Sequence, residues 1–234
     1  MCKDLIHQLD KGKRKEGNLA GHFARAITEN RESISLVDVP FIPEDRDPEK
    51  KGTNPVTHIM RQMKRLQLSC PETTQYEFKY LEREIPHLRA RNAEEQNDKA
   101  WIDYVACTKN SPILGEVKYK DDENPFYALI QLLVYLSEMA TTNQIARAKQ
   151  HGLFEDELCE LAAFDLHIFL ANFNERGKKG KLIGETHRLA ALFKSRLLED
   201  HPDIGHFVGS IMCISATVEE GGEAFSELRG VWAV

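Results

Sequence analysis

Two Asn-Pro pairs, Asn54-Pro55 and Asn124-Pro125, do most to limit how this chain can fold. Asparagine is a favoured helix N-cap, and proline fits the first helical position because that N–H has no partner inside the helix. Each pair therefore predicts a helix start. After the first, Val56, Ile59, Met60, Met63 and Leu66 recur at helical spacing, so a helix is expected through VTHIMRQMKRLQL. After the second, NPFYALIQLLVYLSEMATTNQIARAKQ reads as one long helix. Between them the pattern changes. Tyr76, Phe78 and Tyr80 alternate as in a strand, although Leu81, Ile85 and Leu88 are also helix-spaced; a strand ending near Pro86 is the favoured reading. The polar run RARNAEEQND then turns the chain into 101-WIDYVACTKNSPILGEVKYK-120, where strands near 100–107 and 112–119 flank a polar break.

Downstream, AAFDLHIFLANF (162–173) reads as a strand, NERGKKGKL as a basic loop, 183–199 as a helix and HFVGSIMCISATV as a further strand. The order from residue 55 is helix, three strands, helix, strand, helix, strand. That order predicts an α/β (α+β) protein with a mixed central sheet flanked by helices. Residues 1–54 read as an extension: a basic helical part with GNLAGHFARAITEN as its amphipathic piece, then a proline-rich, charged connector over 38–54. Residues 55–218 form the expected domain. Residues 219–234 form a Gly- and Glu-rich tail expected to cover a sheet edge or fray.

Composition narrows the class. Five scattered cysteines (Cys2, Cys70, Cys107, Cys159 and Cys213) with no CxxC argue against a disulfide framework or zinc ribbon. The polar start MCKDLIHQLDKGKRKEGN lacks the apolar region of a signal peptide, so a cytoplasmic location is expected. No run approaches the roughly 18 apolar residues of a membrane helix. The net charge of −6 argues against a generic basic nucleic-acid binder. The charge is uneven, however: residues 1–70 carry 13 Lys and Arg against 10 Asp and Glu, and the remainder 18 against 27. Contact with nucleic acid would have to use local patches.

The hairpin carries ionisable groups where a core strand is expected. Glu116 and Lys118 are two apart and share a face. With the turn near Asn110, Asp103 lies almost opposite Glu116, and directly opposed residues have Cβ atoms about 4.5–5.5 Å apart. Two carboxylates that close repel, and one tends to keep a proton unless a divalent cation lies between them. Hard cations such as Mg²⁺ take one or two carboxylates with waters and substrate phosphate. Charges on the solvated face of a hairpin are the plainer explanation, but Glu116 sits inside the apolar run ILGEV. Gln131 and Tyr135 lie four apart on the helix that follows and share one of its faces.

Taken together, Asp103, 116-EVK-118 and 131-QLLVY-135 resemble the PD-(D/E)xK nuclease superfamily, in particular its QxxxY-containing RecB-type and lambda-exonuclease-like branch. The resemblance covers roughly residues 55–173. It implies a restriction-endonuclease-like αβββαβ core and metal-dependent hydrolysis of phosphodiester bonds. It further implies Mg²⁺ or Mn²⁺ as the cofactor and nucleic acid as the partner, DNA more than RNA; the lack of a long apolar run adds the expectation of no membrane partner. Asp103 and Glu116 are implied to be metal ligands together with the Val117 carbonyl. Lys118 is implied to position the attacking water, with Gln131 and Tyr135 as supports. Ile102 stands where the family name has proline. Family members often carry one more upstream ligand; Glu77, Glu82, Glu84, His22 and His58 are all open candidates here. A catalytically inactive nuclease-like binding or assembly module is the alternative.

Among other features, NERGKKGK (174–181) and Arg61, Lys64 and Arg65 could meet a phosphate backbone or simply face solvent. His151, His167, His187, His201 and His206 show no ligand spacing, and no phosphate loop or nucleophile elbow occurs.

Overall fold

The computed structural model describes residues 18–32, 54–71, 75–86, 101–120, 124–150, 152–154 and 163–234. In chain order the elements are α1 (Asn18–Glu32), α2 (Pro55–Met63), β1 (Arg65–Leu68), β2 (Tyr76–Pro86), β3 (Trp101–Cys107), β4 (Pro112–Tyr119), α3 (Pro125–Met139), α4 (Thr142–Gln150), β5 (Phe164–Ala171), α5 (Gly177–Asp200), α6 (Pro202–Gly205), β6 (Val208–Val218) and β7 (Phe225–Ala233).

Both Asn-Pro pairs open helices. Asn54 accepts from the Val56 N–H at 2.9 Å and Asn124 from the Phe126 N–H at 3.0 Å, with the prolines in the first turn. The first helix is shorter than its spacing predicts. Lys64 caps it with φ of 61°, a left-handed conformation that ends the helix, and the chain continues as β1. Leu66 fits a helix face, but with Leu68 it fits period 2 equally well, and both pair across to β2. Met63, expected on the apolar face, is 47% exposed as a result, and Arg65 lies on a strand beside Glu77 rather than on a helix.

The long second helix is two helices. Thr141 interrupts it and caps α4, its hydroxyl accepting from the Gln144 N–H. α5 begins at Gly177, so much of the expected basic loop forms its first turns. The tail contributes β7, which pairs with β6.

Among the described residues, seven strands form one mixed sheet in sequential order, antiparallel from β1 to β4, parallel through β4–β5–β6, and antiparallel again at β6–β7. The parallel pairs need crossovers, which α3–α4 and α5–α6 supply. The sheet curls until its ends touch: Ser69, just past β1, bridges to Arg229 on β7, and its carbonyl accepts from the Gly230 N–H at 2.7 Å.

Two cores follow. On one face α3 and α5 cover the sheet with α1 against both, and Phe23 meets Phe193 edge-on at 5.4 Å. The other face is folded inward around Phe78, Tyr104, Phe169 and Ile214, with Val56, Ile59 and Met60 of α2 packed against it. In the described residues no helix is long and apolar enough to cross a membrane.

Candidate active site on the β3–β4 hairpin

Thr108 closes the hairpin. Its hydroxyl accepts from the Asn110 and Ser111 N–H groups, and its own N–H donates to the Ser111 carbonyl at 2.9 Å. The turn sets the register Cys107↔Pro112, Ala106↔Ile113, Val105↔Leu114 and Tyr104↔Gly115. The next positions in that register are Asp103 and Glu116. The ladder stops there, and the Val117 N–H donates instead to Asp103 Oδ2 at 2.7 Å. A side-chain carboxylate thus takes the place of a backbone acceptor, which fixes it beside β4.

Strand parity sorts the rest of β4. Ile113 and Val117 face the inward core, and Leu114 faces the helix-covered one. Glu116 and Lys118 share the Leu114 face, under α3. They are only 4% and 5% exposed. Lys118 Nζ donates to Glu116 Oε1 at 2.9 Å and to Gln131 Oε1 at 2.9 Å. Gln131 Nε2 in turn donates to the Tyr135 hydroxyl at 3.3 Å. Asp103 and Gln131 are half-buried and form the accessible side of the cluster. The structure therefore brings together all five of the expected residues, Asp103, Glu116, Lys118, Gln131 and Tyr135.

Burial is the main electrostatic fact. It pushes the Glu116 carboxyl up to about 8, Asp103's charge adds to the shift, and Lys118 opposes it. Tyr135 is raised far above the ordinary phenol range by burial first, then by Glu116 and Asp103. Glu116 Oε2 is buried with no hydrogen-bond partner. The Tyr135 hydroxyl lies beside this carboxyl and, least of the influences on it, favours its ionised form. A buried carboxylate oxygen without a donor is costly, and a cation is one way to satisfy it. The donor set, two carboxylates meeting at one strand pair, suits a hard divalent cation. Among the described residues no group of three or more His, Cys, Asp or Glu side chains is placed to hold a metal.

The upstream candidates separate by position. Glu77 pairs with Gln67 and is held at the surface by hydrogen bonds from Gln67 and then Arg65, which lower its carboxyl; it lies ~20 Å along the sheet from Asp103. His58 is on α2, which packs on the opposite sheet face, and it contacts Gln62. His22 lines a cleft between α1 and α6 with His201 and Asp203. Glu82 pairs with Val105 and so shares the Asp103 face, one diagonal step away. Glu84 falls in the β2–β3 register opposite Asp103, between Arg83↔Tyr104 and Ile85↔Ile102, and its side chain lies outside the described residues.

One set of residues escapes motif reasoning. On the inward face directly behind the carboxylates, His167 is fully buried between two tyrosines, Tyr104 Oη at 3.1 Å from Nδ1 and Tyr76 Oη at 2.9 Å from Nε2. Its partners come from two other strands, β2 and β3, so no linear spacing reveals them. The available signal is Gly115, a strand-interior glycine of the kind that marks a close approach.

Comparison with family models, with curated proteins and with solved structures finds no match.

Proposed function

We propose that this protein is a metal-dependent nuclease with a restriction-endonuclease-like core, hydrolysing phosphodiester bonds of DNA, with RNA as the other candidate substrate. The observation that carries the reading is the convergence of Asp103, Glu116 and Lys118 on one sheet face beneath Gln131 and Tyr135, with Glu116 Oε2 unpartnered. Asp103 and Glu116 would hold Mg²⁺ or Mn²⁺ with the Val117 carbonyl. When bound, the ion would polarise a phosphoryl oxygen and lower the pKa of a coordinated water.

The chain's own residues supply the rest. Lys118, held by Glu116 and Gln131, orients the attacking water and balances charge developing on the phosphoryl group. Gln131 is fixed by Tyr135 and keeps the lysine from rotating away. Asp103 is held in place by the Val117 N–H. The basic first turns of α5, with Lys178, Lys179 and Lys181, begin just past the end of β5 that pairs with Lys118 and Tyr119, and offer a local patch for a phosphate backbone.

The test is incubation of the purified protein with single- and double-stranded DNA and RNA in Mg²⁺ or Mn²⁺. Cleavage should appear and should vanish in Asp103→Ala and Lys118→Ala; cleavage that persists in both variants sinks the reading. A second reading, a nuclease-like binding or assembly module without activity, draws on the 2.9 Å contact of Lys118 with Glu116, which already gives one of the two carboxyl groups a cationic partner. It gains if calorimetry finds no Mn²⁺ binding that depends on Asp103 and Glu116.

A further inference from the structure

The row of residues behind the carboxylates runs across four strands. Tyr104 pairs with Gly115, Gly115 with His167, and His167 with Met212. The Tyr104 ring lies flat over Gly115: a Cβ there would sit 2.0 Å from Tyr104 Cζ. That absent side chain lets the phenol cross β4 and reach His167 on β5. His167 is shut away from solvent, and burial holds it near 3, so it is neutral. A neutral imidazole has one N–H and one lone pair, so one of its two tyrosines donates to it and the other accepts. The column is therefore a directed chain, Tyr76–His167–Tyr104, tying β2, β5 and β3 together.

Its position is what matters. Tyr104↔Gly115 is the last rung of the β3–β4 ladder, and Asp103 and Glu116 are the next residues along. Beyond that rung the strands are joined through the Asp103 carboxylate and the Val117 N–H. The column also reads the register. A slip of two residues keeps every side chain on its own face but brings Ile113 or Val117 under the Tyr104 ring, where there is no room even for a methyl group.

We infer that Tyr104, Gly115 and His167 are positioning residues that hold Asp103 opposite Glu116 by locking the register of the hairpin from its inner face. The inference rests on the carboxylate pair being the functional site. Tyr104→Phe keeps the ring over Gly115 and removes only the bond to His167. It should speed native-state exchange of the Val117 amide by roughly five- to tenfold. It should also lower kcat for DNA cleavage in Mn²⁺ while leaving KM unchanged. His167→Leu should act in the same way, and the double variant should add little beyond either single change. His167→Gln, which keeps a donor and an acceptor, should recover part of the loss and serves if His167→Leu does not fold.

Phe193→Leu, a buried change in α5, is the control for general destabilisation. If Tyr104→Phe lowers the melting temperature as Phe193→Leu does, yet leaves Val117 exchange and kcat alone, the column is structural only and the inference is overturned. If the wild type neither binds Mn²⁺ nor cleaves, but Val117 exchange still rises in Tyr104→Phe, the register role stands and the nuclease reading falls.

Discussion

Asp103 Oδ2 accepts the Val117 N–H at 2.7 Å, so one carboxylate serves as both a ladder acceptor and a candidate ligand. The two roles can be separated. Asp103→Asn keeps an oxygen for the Val117 N–H but loses the charge. Asp103→Ala loses both. Asparagine should therefore melt close to wild type while losing Mn²⁺ binding and cleavage. Alanine should lose these and also about 1–3 kcal/mol of stability, because the N–H of a buried residue is left without its acceptor. Thermal melts alongside Mn²⁺ calorimetry check this; equal melting of the two variants would show that the hydrogen bond contributes nothing.

Lys118 presents a different balance. Its ammonium is buried between Glu116 and Gln131. Removing one partner of a buried ion pair leaves an uncompensated charge, which typically costs about 3–5 kcal/mol. Glu116 can escape that cost by keeping its proton. The stability loss in Lys118→Met should therefore be small at pH 6 and grow toward pH 9, as read from denaturant midpoints. Cleavage should fall roughly 10²–10⁴-fold at every pH, as for loss of a group that moves or orients a proton.

Much of this site is legible because its logic is short-range. Parity along β4 puts Glu116 with Lys118, four-residue spacing on α3 puts Gln131 with Tyr135, and the Thr108–Ser111 turn fixes which residue Asp103 faces. What the sequence hides is settled by tertiary contact. Leu66 fits both a helix and a strand, and pairing with Phe78 decides it. Thr141 within a helical pattern becomes a cap because Ala140, at ψ of 43°, leaves helical geometry just before it. The Gly-rich tail becomes β7 because β6 would otherwise leave an edge open. His167 has no motif because its ligating tyrosines lie 91 and 63 residues away.

Glu116 gives two pH effects of opposite sign. Its carboxyl is raised from 4.5 to about 8, by burial and then by Asp103. In metal-free protein, the stability linked to this group is fully present below the unfolded value near 4.5. It is lost as pH rises to about 8, because the unfolded chain ionises first. The slope is at most about 1.4 kcal/mol per pH unit for one group. Melts in chelator between pH 5 and 8 should fall more steeply for wild type than for Glu116→Gln. Metal binding runs the other way, since the ion must displace the Glu116 proton. Mn²⁺ affinity should climb by up to about tenfold per pH unit below 8 and level off above it. Affinity flat from pH 6.5 to 9 would exclude Glu116 as a ligand.

The sheet is closed where the end of β1 meets β7. The Gly230 N–H donates to the Ser69 carbonyl at 2.7 Å, and a Cβ at Gly230 would lie 2.3 Å from Cys70 Sγ. The strand ends meet so closely that a side chain at Gly230 must displace the Cys70 sulfur. Gly230→Ala should destabilise the protein by about 1–3 kcal/mol, the usual cost of overpacking. Cys70→Ala removes the sulfur from the collision, so Cys70→Ala/Gly230→Ala should be more stable than Gly230→Ala alone. That non-additivity is expected only of residues in contact. Denaturant titration of the wild type, both single variants and the double variant measures it. Strict additivity would mean that β1 and β7 are not held edge to edge in solution.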